Sequence, residues 1–90
     1  MQRATAYRAL SKALEGWARL PVEQLRTRVG RPPEVHTESI GGEQLTIEIA
    51  ASWSDGSQDA VRIYGVVNGP SHWRLERLEE SVLVRTVSSD

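Results

Sequence analysis

The stretch Leu45-Thr46-Ile47-Glu48-Ile49-Ala50-Ala51-Ser52-Trp53 decides the fold. Apolar side chains alternate along it with polar or small ones, which is the period of a strand with one buried face and one face in water. Gly41-Gly42 separate it from the extended segment 35–40. A pair of glycines supplies the positive φ angles of a two-residue hairpin turn. The sequence therefore predicts a hairpin of residues 35–40 and 43–53. A three-residue loop, which would turn the first strand over, stays open as an alternative.

Two further extended segments follow the hairpin. Residues 61–67 are rich in β-branched side chains and predict a third, central strand with both faces covered. After a turn, Trp73-Arg74-Leu75 predicts a fourth strand that ends near Leu78. Residues 71–81 also fit helical spacing, so both structures remain open there. Residues 82–87 predict a last short strand or a terminal arm.

Two helices precede the sheet. The first helix is predicted from apolar residues at helical spacing, which places them on one side: Ala6, Tyr7, Leu10, Ala13, Leu14 and Trp17. Pro21 suits the first position of a second helix, and Gly30 suits a left-handed residue that ends it. The 90 residues thus predict a single α+β domain, with two N-terminal helices (1–30) packed on one face of an antiparallel meander of about four strands (34–87).

Charge is unevenly distributed along the chain, although the net charge is only −1. Residues 1–31 carry seven basic and two acidic side chains, a net +5, whereas residues 32–60 carry six acidic side chains and no Lys or Arg. The first hairpin is therefore acidic. Such a division provides either two partner surfaces of opposite sign or two segments that neutralise each other within the fold, and we favour internal neutralisation.

Several classes of protein are excluded by composition. The chain has no cysteine, which removes disulfides, thiolate metal sites and cysteine nucleophiles. No apolar run approaches the roughly 18 residues of a membrane span, and the first residues lead into an amphipathic segment rather than an apolar signal core. We expect a cytoplasmic protein with no membrane partner.

Catalytic and metal-binding patterns are weak. A metal site would need both His36 and His72 with Glu34 or Glu38, and that spacing is not diagnostic. The adjacent Glu79 and Glu80 would point to opposite faces of a strand and form no acid–base pair. The sequence therefore predicts no enzyme activity, no metal and no cofactor.

Two sets of residues are candidates for binding a partner. Arg8, Lys12 and Arg19 lie on the polar side of the first helix. Glu48, with Arg62 and Tyr64 if their parity is outward, lies on the face of the sheet that the helices leave uncovered. Charged and aromatic side chains on such a face suit contact with another protein.

A resemblance supports the same architecture. The residues that carry it are Leu20-Pro21-Val22-Glu23-Gln24-Leu25, Leu45-Thr46-Ile47-Glu48-Ile49, Trp53-Ser54-Asp55-Gly56, Val61-Arg62-Ile63-Tyr64-Gly65 and Trp73-Arg74. In this order the chain resembles a family of small uncharacterised bacterial α+β proteins, similar in build to the immunity proteins of polymorphic toxin systems. The resemblance spans most of residues 20–75 and implies a fold but no catalytic residue. Ser71-His72 depart from the pattern.

The sequence therefore predicts a non-catalytic protein–protein interaction module, immunity-like or regulatory, that is a monomer or a weak homodimer. The alternative is a nucleic-acid-binding protein that uses the basic N-terminal helices as a helix-turn-helix. A second helix of only about nine residues and the nearby acidic hairpin make nucleic acid the less favoured partner.

Overall fold

The computed structural model describes residues 3–56, 58–69 and 77–86. These residues form two helices and one antiparallel sheet, which confirms the predicted α+β class. The sheet is a meander whose described strands lie in chain order: β1 (Glu34–Ile40), β2 (Glu43–Trp53), β3 (Ala60–Asn68) and β4 (Arg77–Arg85).

Helix α1 (Arg3–Ala18) lies mainly over β3 and β4. It buries Ala6, Leu10 and Leu14 against the sheet, as the helical spacing predicts. Tyr7 belongs to the same apolar arc but stands at its rim, 49% exposed, where its hydroxyl donates to Glu80 Oε2 at 3.2 Å. Trp17, at the other end of the same apolar arc, is partly buried against the core.

Helix α2 (Val22–Arg28) is slightly shorter than its pattern suggests, and its buried side chain is Leu25. Pro21 is the residue before the first helical residue, one position earlier than predicted. Gly30 has the predicted positive φ, +80°, but its N–H donates to the carbonyl of Ala51 in β2 at 3.2 Å. Gly30 thus ties the end of the helical segment to the sheet.

The first hairpin has the predicted two-residue loop. Gly41 and Gly42 have φ of +59° and +82°, and Ile40 lies opposite Glu43. This register removes the three-residue alternative. It also places His36 opposite Ile47, so that His36 and its neighbours at 34 and 38 lie on the same side of the sheet as the helices.

The C-terminal half corrects two predictions. β3 is central, but only its helix side is covered along the whole strand, because Arg62 and Tyr64 are exposed on the other side. The fourth strand does not end near Leu78: residues 77–81 are extended and continue without a break to Arg85. The predicted start of that strand, Trp73-Arg74-Leu75, lies outside the described residues.

The core lies between the helices and one side of the sheet. It contains Leu25 with the inward residues of the two central strands: Leu45, Ile47, Ile49, Ala51, Val61, Ile63 and Val67. Gly65 lies directly under α1, since a Cβ atom there would lie 2.7 Å from Leu10 Cδ1. Removal of these apolar side chains from water is the main contribution that stabilises the fold.

Candidate functional site

One side of the sheet faces away from both helices, and we call it the open face. Within the described residues no element lies across it. Strand register places the following side chains on it: Val35 of β1, Glu48 and Ala50 of β2, Arg62, Tyr64 and Val66 of β3, and Arg77, Glu79, Ser81, Leu83 and Arg85 of β4.

Tyr64 is the centre of a polar network on the open face. Its side chain hydrogen-bonds with Arg77 and with Glu79. Arg77 Nε and Nη2 also contact Glu79 Oε1, at 2.8 and 2.7 Å. The hydrogen bond from Tyr64 and, second, the contact with Arg77 lower the pKa of Glu79, because both favour the carboxylate. Tyr64 and, second, Glu79 raise the pKa of Arg77. The network therefore brings a tyrosine, a carboxylate and a guanidinium together on the open face.

A shallow hollow lies beside this network. It has a volume of about 130 Å³, and its lining comprises Pro33, Glu48, Ala50, Tyr64, Val66 and Arg77. Val66 is only 4% exposed although it points to the open face. Its cross-strand neighbours, Glu48 and Glu79, flank it in the sheet. The hollow thus has a small apolar floor and a polar rim, the composition of a protein-binding surface rather than of a deep substrate pocket.

Arg62 and Leu83 form the next row of the open face, where they lie directly opposite each other. Leu83 is 58% exposed. Arg62 Nη1 donates to the Ser81 hydroxyl at 3.5 Å, and it forms no ion pair within the described part of the chain. The Arg62 guanidinium, which pairs with no carboxylate of the described residues, therefore lies beside an exposed apolar side chain.

The structure separates the two predicted sets of binding residues. Glu48, Arg62 and Tyr64 do come together on the open face, with the outward parity that was expected. Arg8, Lys12 and Arg19 lie on the helical side of the molecule and take no part in that face. Arg19 is paired with Glu15 at 3.2 Å.

Sequence reasoning missed the contribution of β4 to the open face. Arg77, Glu79, Leu83 and Arg85 lie at even spacing, so they share one side of an extended strand. That signal was hidden because residues 71–81 fit a helix as well as a strand. Glu79 and Glu80 do point to opposite sides of β4, as the sequence predicted.

A second depression, the Trp17 cleft, lies where the helices leave β1 uncovered. Its volume is about 280 Å³, and its lining comprises Ala9, Lys12, Ala13, Trp17, Glu34, His36, Glu38 and Ile49. The guanidinium of Arg28 stacks 4.6 Å from the Trp17 ring, and its Nη1 lies 2.8 Å from Glu34 Oε2. His36 Nε2 lies 3.3 Å from Glu38 Oε1. The acidic groups of this cleft are therefore engaged, Glu34 with Arg28 of α2 and Glu38 with His36 of its own strand.

Part of the charge division is neutralised within the fold. Arg28 of the basic segment pairs with Glu34 of the acidic one, which is the internal contact that we favoured. Arg19 and Arg26 pair instead with acids of their own segment, Glu15 and Glu23.

Among the described residues, no three His, Asp or Glu side chains form a group that could hold a metal ion. His72 lies outside the described residues. Neither of the described helices has the length and apolar character needed to cross a membrane.

Comparison with known proteins gives no relative. No protein-family model, no curated protein and no solved structure matches the chain. The class of the protein is given by its fold alone: it is an α+β protein with two helices on one side of a meander of four described strands.

Proposed function

We propose that the protein is a non-catalytic interaction module that binds another protein on the open face around Tyr64. The observation that carries this proposal is the arrangement of Tyr64, Arg62 and the hollow over Val66 on a side of the sheet that the helices leave bare. Tyr and Arg are the residues that most often dominate the free energy of protein–protein contacts. A side chain held by the Arg77–Glu79 network also loses little conformational freedom on binding.

The chemistry of the face indicates what the partner presents. The hollow over Val66 accepts an apolar side chain, and the guanidinium of Arg62, which pairs with no carboxylate of the described residues, favours a carboxylate beside it. The partner is therefore a protein with an exposed apolar residue next to an acidic one. Binding of this kind regulates or inhibits the partner by occupying its surface, in keeping with the resemblance to immunity-type proteins.

The contacts of two arginines support this proposal over binding of nucleic acid by the helices. Arg28 is engaged with Trp17 and Glu34, and Arg26 contacts Glu23 and the carbonyl of Thr86. Both arginines would have to leave these contacts to reach phosphate. α2 is also only seven residues long and buries Leu25, which leaves little of it for a major groove.

Site-specific photocrosslinking in native cells tests the proposal. A photoreactive amino acid replaces Ser52, which lies opposite Arg62 on the open face, and in a matched variant it replaces Arg19 on the helical side. We expect one protein adduct from position 52 and none from position 19. An adduct from position 19 alone would move the contact to the basic helix, and adducts to nucleic acid would favour the other function.

The identified partner then allows a quantitative test. With purified components, Arg62→Ala is expected to raise the Kd about tenfold or more, because a hot-spot side chain contributes at least about 1.4 kcal/mol. Arg19→Ala is the matched control, since it removes the same charge from the opposite side of the molecule. Equal effects of the two substitutions would contradict binding on the open face.

A further inference from the structure

β4 is one edge of the sheet. It pairs with β3 on one side, and within the described residues no strand lies on its other side. Its nine residues include Val82-Leu83-Val84, and Leu83 is one of the most exposed apolar side chains of the described chain. A long edge with an apolar centre presents backbone N–H and C=O groups that another strand can pair with.

The opposite edge differs in a way that matters for pairing. β1 carries Glu34, His36 and Glu38 on the side of the sheet that bears the helices. Charged residues that point inward are a known protection against pairing of sheet edges. β4 has one such residue, Glu80, whose carboxylate accepts hydrogen bonds from the Tyr7 hydroxyl and from the Ser81 backbone N–H, and the second of these has to give way to a pairing strand. β4 is therefore the edge better suited to accept a strand.

We propose that β4 pairs antiparallel with β4 of a second copy of this chain, about a two-fold axis at Val82. In this register Glu79 lies opposite the partner's Arg85, and Arg85 opposite the partner's Glu79. Both side chains point to the open face and are exposed, so two ion pairs form across the junction. The two sheets become one continuous eight-stranded sheet.

The charges on β4 favour this register over the two in which the axis lies one residue earlier or later. Residues that lie opposite each other in paired strands point to the same side of the sheet. A two-fold axis perpendicular to the sheet therefore passes through a residue of the strand, because an axis between two residues would pair side chains that point to opposite sides. An axis at Ser81 would set Arg77 opposite the partner's Arg85 on each side of the axis, and these like charges would repel each other. An axis at Leu83 would set Ser81 opposite the partner's Arg85 and form no ion pair. The axis at Val82 is the one that gives attraction on both sides.

Apolar contacts follow from the same register. Val82 lies opposite the partner's Val82 on the helix side of the sheet. The two Leu83 side chains become diagonal neighbours on the open face, within reach of each other across the axis. This accounts for the exposure of Leu83 in the single chain. Arg62 and Tyr64 lie on β3 and stay accessible, whereas Glu79, which contacts Arg77 of its own strand, takes part in both the Tyr64 network and the pairing. Arg85 belongs to the pairing alone, so Arg85→Glu tests the pairing without altering that network.

Sedimentation equilibrium of the purified 90-residue chain over a range of concentrations at low salt tests the inference. The wild-type chain is expected to form a dimer. Glu79→Arg and Arg85→Glu each place like charges opposite each other twice, so the dimer dissociation constant should rise about tenfold or more. A mixture of the two variants should form a heterodimer. In that heterodimer the two substituted side chains face each other with opposite charge, and the two unsubstituted ones attract as they do in the wild type.

The mixing experiment separates pairing from misfolding, since a variant that failed to fold would not recover. Glu38→Arg is the matched control on the other edge and should leave the dimer unchanged. A wild-type chain that stays monomeric at all concentrations would overturn the proposal. So would a dimer that neither reversal weakens, or one that Glu38→Arg disrupts.

Discussion

Leu10 stands directly on Gly65: a Cβ atom added to Gly65 would lie 2.7 Å from Leu10 Cδ1 and 3.1 Å from Leu14 Cδ2. Both leucines are fully or almost fully buried and have no solvent space to move into. The distance between α1 and β3 is therefore set by the missing side chain at position 65.

Gly65→Ala is expected to destabilise the protein by about 1–3 kcal/mol, the usual cost of overpacking a closely packed core. Urea unfolding measures this difference. Gly16→Ala is the control, because Gly16 lies in α1 with open space around it and alanine favours a helix by about 0.5–1 kcal/mol. Equal stabilities of the two variants would show that the helix can move away from the sheet without cost.

The turn between β1 and β2 depends on backbone conformation alone. Gly41 and Gly42 have positive φ, and no atom lies within 4 Å of an added Cβ at either position. We expect Gly42→Ala to cost about 1–2 kcal/mol, the penalty of a left-handed L-residue. Gly41→Asn should be tolerated, because asparagine is favoured at this position of such turns. Gly56→Ala, where φ is not positive, should change the free energy of unfolding little; a similar loss there would contradict the conformational explanation.

Most of the fold could be predicted from the spacing of apolar residues and from the Gly and Pro residues at the turns. The alternation of residues 45–53 and the glycine pair predicted the first hairpin, although its register came only from the structure. The break at Pro21 located the start of α2 to within a residue. Each of these patterns involves residues that are close in sequence, so it can be interpreted without knowledge of the rest of the chain.

The candidate site was only half predictable, for the opposite reason. Tyr64 and Glu48 follow from the parity of β2 and β3, but the partners that fix Tyr64 are on β4, whose residues fit two periods equally well. The Trp17 cleft was not foreseen either. Its charged wall exists because the hairpin register turns Glu34, His36 and Glu38 toward the helices, and the register stayed open in the sequence.

Arg28 joins the basic and acidic segments, and a double-mutant cycle with Glu34 measures that link. The two side chains are 30% and 61% exposed, so we expect a coupling free energy of about 0.2–1 kcal/mol. Arg28→Ala alone should cost more than this coupling, because it also removes the contact with Trp17, which contributes about 0.5–1 kcal/mol. The Arg19 and Glu15 pair is more exposed and should couple by about 0.3–0.5 kcal/mol at most. A larger coupling there than at Arg28 would contradict this ranking.

The lowered pKa of Glu79 predicts how pH acts on the open face. Tyr64 and then Arg77 favour the carboxylate in the folded state, so their stabilising effect is present above the ordinary glutamate pKa of about 4.3 and is lost as pH falls through the folded value. Carboxyl ¹³C NMR titration should find Glu79 below that ordinary value. Tyr64→Phe should raise the pKa of Glu79, because it removes the larger of the two causes, while the contact with Arg77 keeps it from returning fully. Tyr7→Phe is the control, since the Tyr7 hydroxyl contacts Glu80 on the helix side. An unchanged pKa of Glu79 in Tyr64→Phe would mean that Tyr64 does not interact with that carboxylate. The network on which the proposed binding surface rests would then not exist.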